Sequence, residues 1–224
     1  MTMALPTIVN NTSVGKAFDK GLKLYKENFT MVFVTSLLAA LVGGLTCGIC
    51  MPVMTCGLYA VLLALLRRVE PKPTIGDVFS KFPHFLTAFV SAIVITLLTG
   101  LISTVLLVVP VIGMLASYVV STIIAPAVMS WAYLAIIDRN ATISEAISSL
   151  KLPMEKPFWL FVLVSFVASL IGCVGALACG IGLLFTIPLA YCIVIAAYND
   201  MVGGANDAID VDASSISKPP TDAR

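Results

Sequence analysis

Three long stretches of the chain contain no charged residue, and a short segment with apolar residues at helical spacing precedes each of them. The charge-free runs are Thr30–Leu66, Phe85–Ile137 and Pro157–Asn199, which are 37, 53 and 43 residues long. A helix needs roughly 20 apolar residues to cross the hydrocarbon of a bilayer, so each run predicts two spans joined by a turn. The first run is the shortest, and it predicts either two short helices or a partly re-entrant pair.

Clusters of glycine and proline place a turn within each run, at 46–52, 109–113 and 172–182. None of these predicted turns carries a charge. All charged residues therefore lie in the terminal segments and in the two segments that connect one pair of spans to the next. The pattern predicts an all-α polytopic membrane protein with six transmembrane helices, arranged as three helical hairpins.

A related motif begins at Ser13, Thr74 and Thr142, shortly before each charge-free run. Its apolar residues recur at i, i+3, i+4 and i+7, which is the spacing of a helix with one apolar face. In the second and third copies an acid, Asp77 or Glu145, completes a capping box. We therefore expect a short amphipathic helix along the membrane interface before each hairpin.

The motif also predicts an internal repeat within a membrane domain over residues 13–203. The three predicted repeats cover about 13–70, 74–139 and 142–200. The remaining residues would form an N-terminal tail, 1–12, and an acidic C-terminal tail, 204–224. The C-terminal tail is polar and has no periodicity, so it is expected to be disordered.

Composition supports the membrane assignment and charge distribution predicts an orientation. Hydrophobic residues make up 59% of the chain and charged residues 11%, with a mean hydropathy of +1.05, whereas soluble domains carry about 25% charged residues. The segments 16–27 and 67–81 each hold four basic residues against two acids. The positive-inside rule then predicts a bacterial inner-membrane protein with both termini in the cytoplasm. Met1–Asn11 lacks the basic region of a signal peptide, so no cleaved signal is expected.

The basic residues near the predicted interface are candidate contacts for lipid headgroups. They are Lys16, Lys20, Lys23, Lys26, Arg67 and Arg68. Within the spans, Pro126 and Pro188 each stand 12 residues before an acid, Asp138 or Asp200, and predict helix kinks. The two acids would end their helices at the cytoplasmic edge, where we expect solvent to surround them.

The predicted spans contain no ionisable Asp, Glu, Lys or Arg, which disfavours a proton- or sodium-coupled mechanism. Their hydroxyl residues, among them Thr96, Thr99, Ser103, Thr104, Ser121 and Thr122, are expected to bond between helices. No P-loop, HExxH pair or GxSxG motif is present. The sequence therefore predicts neither an enzyme nor a bound cofactor, metal or nucleic acid.

Six cysteines are the remaining candidates for chemistry. Cys47 and Cys50 form a CxxC in the first predicted turn, and they are a candidate thiol pair on the periplasmic face. Zinc would need four ligands, and no second CxxC or histidine partner accompanies this one. Small apolar packing is the favoured interpretation of the cysteines; a structural disulfide and a redox function stay open.

The last hairpin carries a family resemblance. Its residues Cys179-Gly180-Ile181-Gly182, Thr186-Ile187-Pro188 and Ala196-Ala197-Tyr198-Asn199-Asp200 resemble a loose group of bacterial multi-pass integral membrane proteins, many of them uncharacterised. The group includes the membrane domain fused to some glycerophosphodiester phosphodiesterases. The resemblance implies the fold, the location and a link to lipid metabolism or membrane organisation. It implies no catalytic residues, and this chain has no phosphodiesterase domain.

Together these features favour a non-enzymatic inner-membrane protein that acts as a scaffold, an accessory subunit or a lipid-organising protein. Its expected partners are membrane lipids and either a second copy of the chain or another membrane protein. One alternative is a small uncoupled transporter or channel for a neutral or apolar substrate. The other is a thiol or disulfide function at the periplasmic face.

Overall fold

The computed structural model describes residues 13–109, 111–139, 156–177 and 182–202. The helices in these ranges are α1 (Val14–Glu27), α2 (Phe29–Leu45), α3 (Met51–Leu66), a 3₁₀ helix (Ile75–His84), α4 (Phe85–Leu106), α5 (Ile112–Val119), a π-helical segment (Val120–Ile124), α6 (Ala125–Arg139), α7 (Lys156–Leu177) and α8 (Leu183–Val202). No strand occurs among the described residues. The all-helical fold class is confirmed for that part of the chain.

Three helical stretches are long and apolar enough to cross a membrane: Ile75–Leu106, Ile112–Asp138 and Leu183–Val202. A fourth candidate is α1 with α2 taken together as one broken span, although their axes turn by 93° at the break. The helices α2 and α3 have 17 and 16 residues, which at 1.5 Å per residue gives lengths of about 26 and 24 Å. Six full spans therefore stay a prediction.

Helices α3, α6 and α8 form the interior of the bundle, and α2, α4 and α7 surround them. Each surrounding helix contacts two interior ones: α2 lies on α3 and α8, α4 on α6 and α3, and α7 on α8 and α6. Large side chains of the interior helices are almost fully buried, among them Leu62, Leu134 and Ile195. The apolar core is therefore concentrated along the three interior helices.

The first predicted amphipathic helix is present as α1. The Ser13 hydroxyl oxygen accepts a hydrogen bond from the Lys16 backbone N–H at 3.3 Å, as expected of an N-cap. Ala17, Gly21 and Leu24 are buried, and α8 covers this face. A Cβ at Gly21 would lie 2.6 Å from the Ile193 Cα, so glycine permits the close approach of the two helices.

The second amphipathic segment is a 3₁₀ helix rather than the expected α-helix. The Asp77 carboxylate accepts from the Thr74 backbone N–H at 2.6 Å, as the capping box predicts. With three residues per turn, positions i+3 and i+4 do not share one face. Only Val78 of the predicted apolar stripe is buried, whereas Ile75, Phe79 and Phe82 are exposed. The third predicted segment, beginning at Thr142, lies outside the described residues.

The glycine-rich region 172–182 was expected to be a turn, and that expectation is wrong for its first half. Helix α7 continues to Leu177 and includes Gly172 and Gly175. A Cβ at Gly175 would lie 2.1 Å from the Thr186 Oγ1. The Thr186 hydroxyl donates to the Gly172 carbonyl at 3.1 Å. Gly175 therefore allows the two helices to approach closely, as small residues commonly do in membrane proteins.

Candidate functional site at the ends of three interior helices

Polar side chains from three interior helices meet at one end of the bundle. The Arg67 guanidinium contacts both oxygens of the Asp138 carboxylate, Nη1 to Oδ1 at 2.5 Å and Nη2 to Oδ2 at 3.3 Å. Its Nε donates to the Asn199 Oδ1 at 2.9 Å. The Tyr198 hydroxyl lies 3.4 Å from the Asp138 Oδ2. Arg67 follows α3, Asp138 lies in α6 and Asn199 in α8, so one guanidinium links all three interior helices.

A second ion pair joins the first helix to the last. The Lys20 Nζ lies 2.6 Å from the Asp200 Oδ1, and the Asp200 side chain is only 7% exposed. Further along α1, burial raises the pKa of the Tyr25 phenol, which therefore stays protonated and neutral at physiological pH. We call Lys20, Arg67, Asp138, Asn199 and Asp200 the charged cluster.

The position of the two acids corrects the expectation that solvent surrounds them. The side chains of Asp138 and Asp200 are 13% and 7% exposed, and each is paired with a basic group. A carboxylate that is largely removed from water needs a cation and hydrogen bonds to offset its desolvation. The charged cluster supplies both, and so fastens the helix ends to one another.

Arg67, Asp138 and Asn199 form one polar layer across α3, α6 and α8. A second set of polar residues lies on the same three helices, eight residues earlier in each. Tyr59, Ser130 and Tyr191 precede Arg67, Asp138 and Asn199 respectively. The Tyr59 hydroxyl is 3.2 Å from the Ser130 Oγ, and the Tyr59 and Tyr191 rings meet edge to face at 5.6 Å. The corresponding residues midway are Leu63, Leu134 and Ile195, and all three are buried. Apolar side chains therefore separate the two polar layers.

The other candidate headgroup contacts lie on the surface. Lys16, Lys23, Lys26 and Arg68 are exposed, and the Lys23 Nζ lies 3.9 Å from the Glu27 carboxylate. The structure brings only Lys20 and Arg67 of the six predicted basic residues into the charged cluster. Contact of the six residues with lipid headgroups stays a prediction.

The two candidate kink prolines have different surroundings. Pro188 is buried within α8. Pro126 is exposed, and it lies two residues after the end of a π-helical segment. A groove of about 400 Å³ opens beside it between α4 and α6, lined by Ile95, Thr96, Thr99, Gly100, Ser121, Ala125, Pro126 and Met129. The π-helical segment therefore lies beside a groove. Such segments are common at functional sites.

The candidate thiol pair lies in the turn between α2 and α3. Cys47 is exposed and Cys50 half-buried, and both are free thiols. Cys56 and Cys192 are buried free thiols, in keeping with apolar packing. Among the described residues no group of three or more His, Cys, Asp and Glu side chains could hold a metal ion.

We expect the cysteines to react in two classes. In the folded, detergent-solubilised protein, maleimide should modify Cys47 and Cys173 rapidly, since both are exposed. Cys56 and Cys192 should react only after unfolding, because burial shields them. Peptide mass spectrometry after a timed labelling pulse checks this, with unfolded protein as the control. Fast modification of Cys56 or Cys192 would contradict the packing of the interior helices.

The sequence interpretation missed Asn199, Tyr198 and the layer containing Tyr59. Comparison of the second helix of each predicted repeat provides the missing signal. An aromatic or hydroxyl residue stands eight residues before a polar one in all three helices. Eight residues are about 2.2 helical turns, so the members of each pair are offset by roughly 80° around the helix and can both face the interior of the bundle.

No protein-family model, curated protein or solved structure matches this chain.

Proposed function

We propose that the protein spans the bacterial inner membrane six times, as three hairpins, with both termini in the cytoplasm. The charged cluster would then lie at the cytoplasmic end, on the same side as the basic segments near residues 16–27 and 67–81. The exposed surface of α4 is strongly apolar, with Leu97 and Leu101 each more than 60% exposed. Lipid would cover this surface, as it does on membrane-spanning helices.

The contacts between helices support a pseudo-threefold arrangement of the repeats. Each surrounding helix lies on the interior helix of its own hairpin and on that of one other, in cyclic order. The amphipathic segments follow the same order, with α1 on α8 and the 3₁₀ helix on α3. Ser36 and Ser165 are buried on α2 and α7. They are as many residues apart in the sequence as the motif starts Ser13 and Thr142.

Within this membrane, we propose that the protein acts without catalysis, as a scaffold, an accessory subunit or a lipid-organising protein. The observation that carries this proposal is the closed interior of the bundle. Leu62, Leu134 and Ile195 of the interior helices are fully buried, and the charged groups at the end of these helices bind one another. The buried interior provides no path for a solute, and the paired charges provide no reactive group for catalysis. The outer apolar surface, by contrast, is broad.

A solute-flux assay tests the proposal. Purified protein in liposomes should release small neutral solutes, such as glycerol or urea, no faster than protein-free liposomes. A matched liposome sample containing a known solute facilitator gives the positive control. Release at turnover rates that depends on the protein would contradict the scaffold function.

The second candidate is an uncoupled facilitator for a neutral or apolar substrate, and the groove beside Pro126 favours it. Thr96, Thr99 and Ser121 supply hydroxyl groups to an otherwise apolar lining. The substrate would move along the outside of α4 and α6 rather than through the closed interior. The same flux assay, repeated with the Gly100→Leu variant that fills the groove, separates this function from the first.

A further inference from the structure

We propose that the groove between α4 and α6 is a binding site for an uncharged membrane lipid whose headgroup ends in a hydroxyl, of the diacylglycerol or long-chain alcohol class. This inference rests on the proposal that α4 and α6 span the membrane. The groove has about 400 Å³, within the range of small-ligand sites. Its lining contains no charged residue.

The groove presents a threonine hydroxyl that makes no hydrogen bond within the described chain. The Thr99 hydroxyl donates to the Ile95 carbonyl at 2.7 Å, and the Thr104 hydroxyl donates to the Gly100 carbonyl at 2.8 Å. The Thr96 hydroxyl, by contrast, has no hydrogen-bond partner in the described chain. Thr96 is exposed and lines the groove. Its hydroxyl can therefore donate to a molecule bound there.

The groove also presents an acceptor, which results from the π-helical segment and Pro126. In this segment the Ala125 backbone N–H donates to the Val120 carbonyl, five residues earlier. The next bond of that register would join Pro126 to the Ser121 carbonyl, but proline has no N–H. The Ser121 carbonyl consequently has no donor in that register, and Ser121 lines the groove.

A lipid hydroxyl matches both kinds of group, because it accepts one hydrogen bond and donates another. In hydrocarbon an unsatisfied donor or acceptor is costly, so such a lipid is favoured over a purely apolar chain. A charged headgroup is disfavoured, since the lining offers no counter-ion. Exposed Gly100 and Pro126 leave the groove open toward the surrounding lipid, so the acyl chains can stay in the bilayer.

Photolabelling in phosphatidylcholine vesicles tests the site. The probe is a diacylglycerol with a diazirine on one acyl chain, and it is compared with the same molecule capped as a methyl ether and with a diazirine phosphatidylcholine. We expect the free diacylglycerol to label the peptides that carry residues 95–100 and 121–129. We expect the ether and the phosphatidylcholine to label them several-fold less.

Two variants and one matched control complete the test. Thr96→Val keeps the shape and removes the donor, and it should reduce diacylglycerol labelling about five-fold, which is the effect of one hydrogen bond. Gly100→Leu should abolish labelling by filling the groove, since no atom lies within 4 Å of a Cβ added there. Thr104→Val removes a hydroxyl that is already bonded to Gly100 and lies outside the groove, and it should label like the unaltered protein.

Equal labelling by the free and capped probes would overturn the proposal, as would equal labelling of Thr96→Val and the unaltered protein. Retention of the protein in the vesicle membrane after alkaline extraction is measured on the same samples. Loss of the protein at that step would contradict the membrane-spanning function itself. Retention without groove labelling would contradict only the lipid site.

Discussion

Replacing Asp138 with leucine is expected to lower the free energy of unfolding by about 3 kcal/mol, because the substitution removes the Asp138 carboxylate that contacts the Arg67 guanidinium. Arg67 follows α3 and is only 26% exposed at its side chain, so solvent cannot fully replace the lost partner. Chemical unfolding in detergent micelles, followed by circular dichroism, measures the change. We expect the loss to be greatest at low salt.

A double substitution separates the cost of removing Asp138 alone from the contribution of the pair. Arg67→Met combined with Asp138→Leu removes both charges, and it should recover most of the stability lost in Asp138→Leu alone. Glu27→Gln is the matched control, since it breaks only the exposed contact with Lys23. It should change the free energy of unfolding by no more than about 0.5 kcal/mol. Similar losses in Asp138→Leu and Glu27→Gln would contradict the role given to the charged cluster.

The Gly57→Ala variant is expected to lose about 2 to 3 kcal/mol of stability through overpacking. A Cβ at Gly57 would lie 1.8 Å from the backbone carbonyl oxygen of Val78. The atom in the way belongs to the backbone of the 3₁₀ helix, so no side-chain rotation can make room. The 3₁₀ helix must therefore move away from α3.

Gly44→Ala is the control for this variant. Gly44 also lies in a helix, and no atom lies within 4 Å of a Cβ added there. Alanine favours a helix by about 1 kcal/mol over glycine, so Gly44→Ala should be neutral or slightly stabilising. Thermal unfolding of the two variants in the same detergent provides the comparison. A Gly57→Ala variant as stable as Gly44→Ala would show that the 3₁₀ helix does not pack closely on α3.

The helical class and several local features could be predicted from the sequence because they depend on neighbouring residues. The cap at Ser13 and the contact between Thr74 and Asp77 involve residues three positions apart. The apolar stripe of α1 likewise needs only the helical period, and burial of Ala17, Gly21 and Leu24 follows it. Local patterns of this kind specify which face is buried, but they do not specify the partner.

The charged cluster could not be predicted in this way, because its members are distant in the chain. Asp138 was expected to be solvated because it ends a helix, but the fold brings Arg67 to it from 71 residues away. The geometry of the second amphipathic segment also depends on more than its apolar spacing. Val78 is held against Gly57 of α3, and the segment is 3₁₀-helical rather than α-helical.

The interpretation of glycine shows a further limit of sequence patterns. A cluster of glycines favours a turn when only neighbouring residues are considered. Gly175 instead lies inside α7. At this position α8 approaches α7 too closely for a side chain, with Thr186 at the contact. Close approach is a property of two helices, so it becomes visible only when both are in place.

The sidedness of the first hairpin tests the six-span arrangement most directly, because α2 and α3 are the shortest helices expected to cross the membrane. The measurement uses two variants in intact cells, one with Cys47 as its only cysteine and one with Lys72→Cys as its only cysteine. Both positions are exposed. A membrane-impermeant maleimide is added before or after the cells are opened. The proposed topology predicts that Cys47 reacts from outside and that residue 72 reacts only in opened cells. Protection of Cys47 until the cells are opened would contradict six spans and indicate a re-entrant first hairpin.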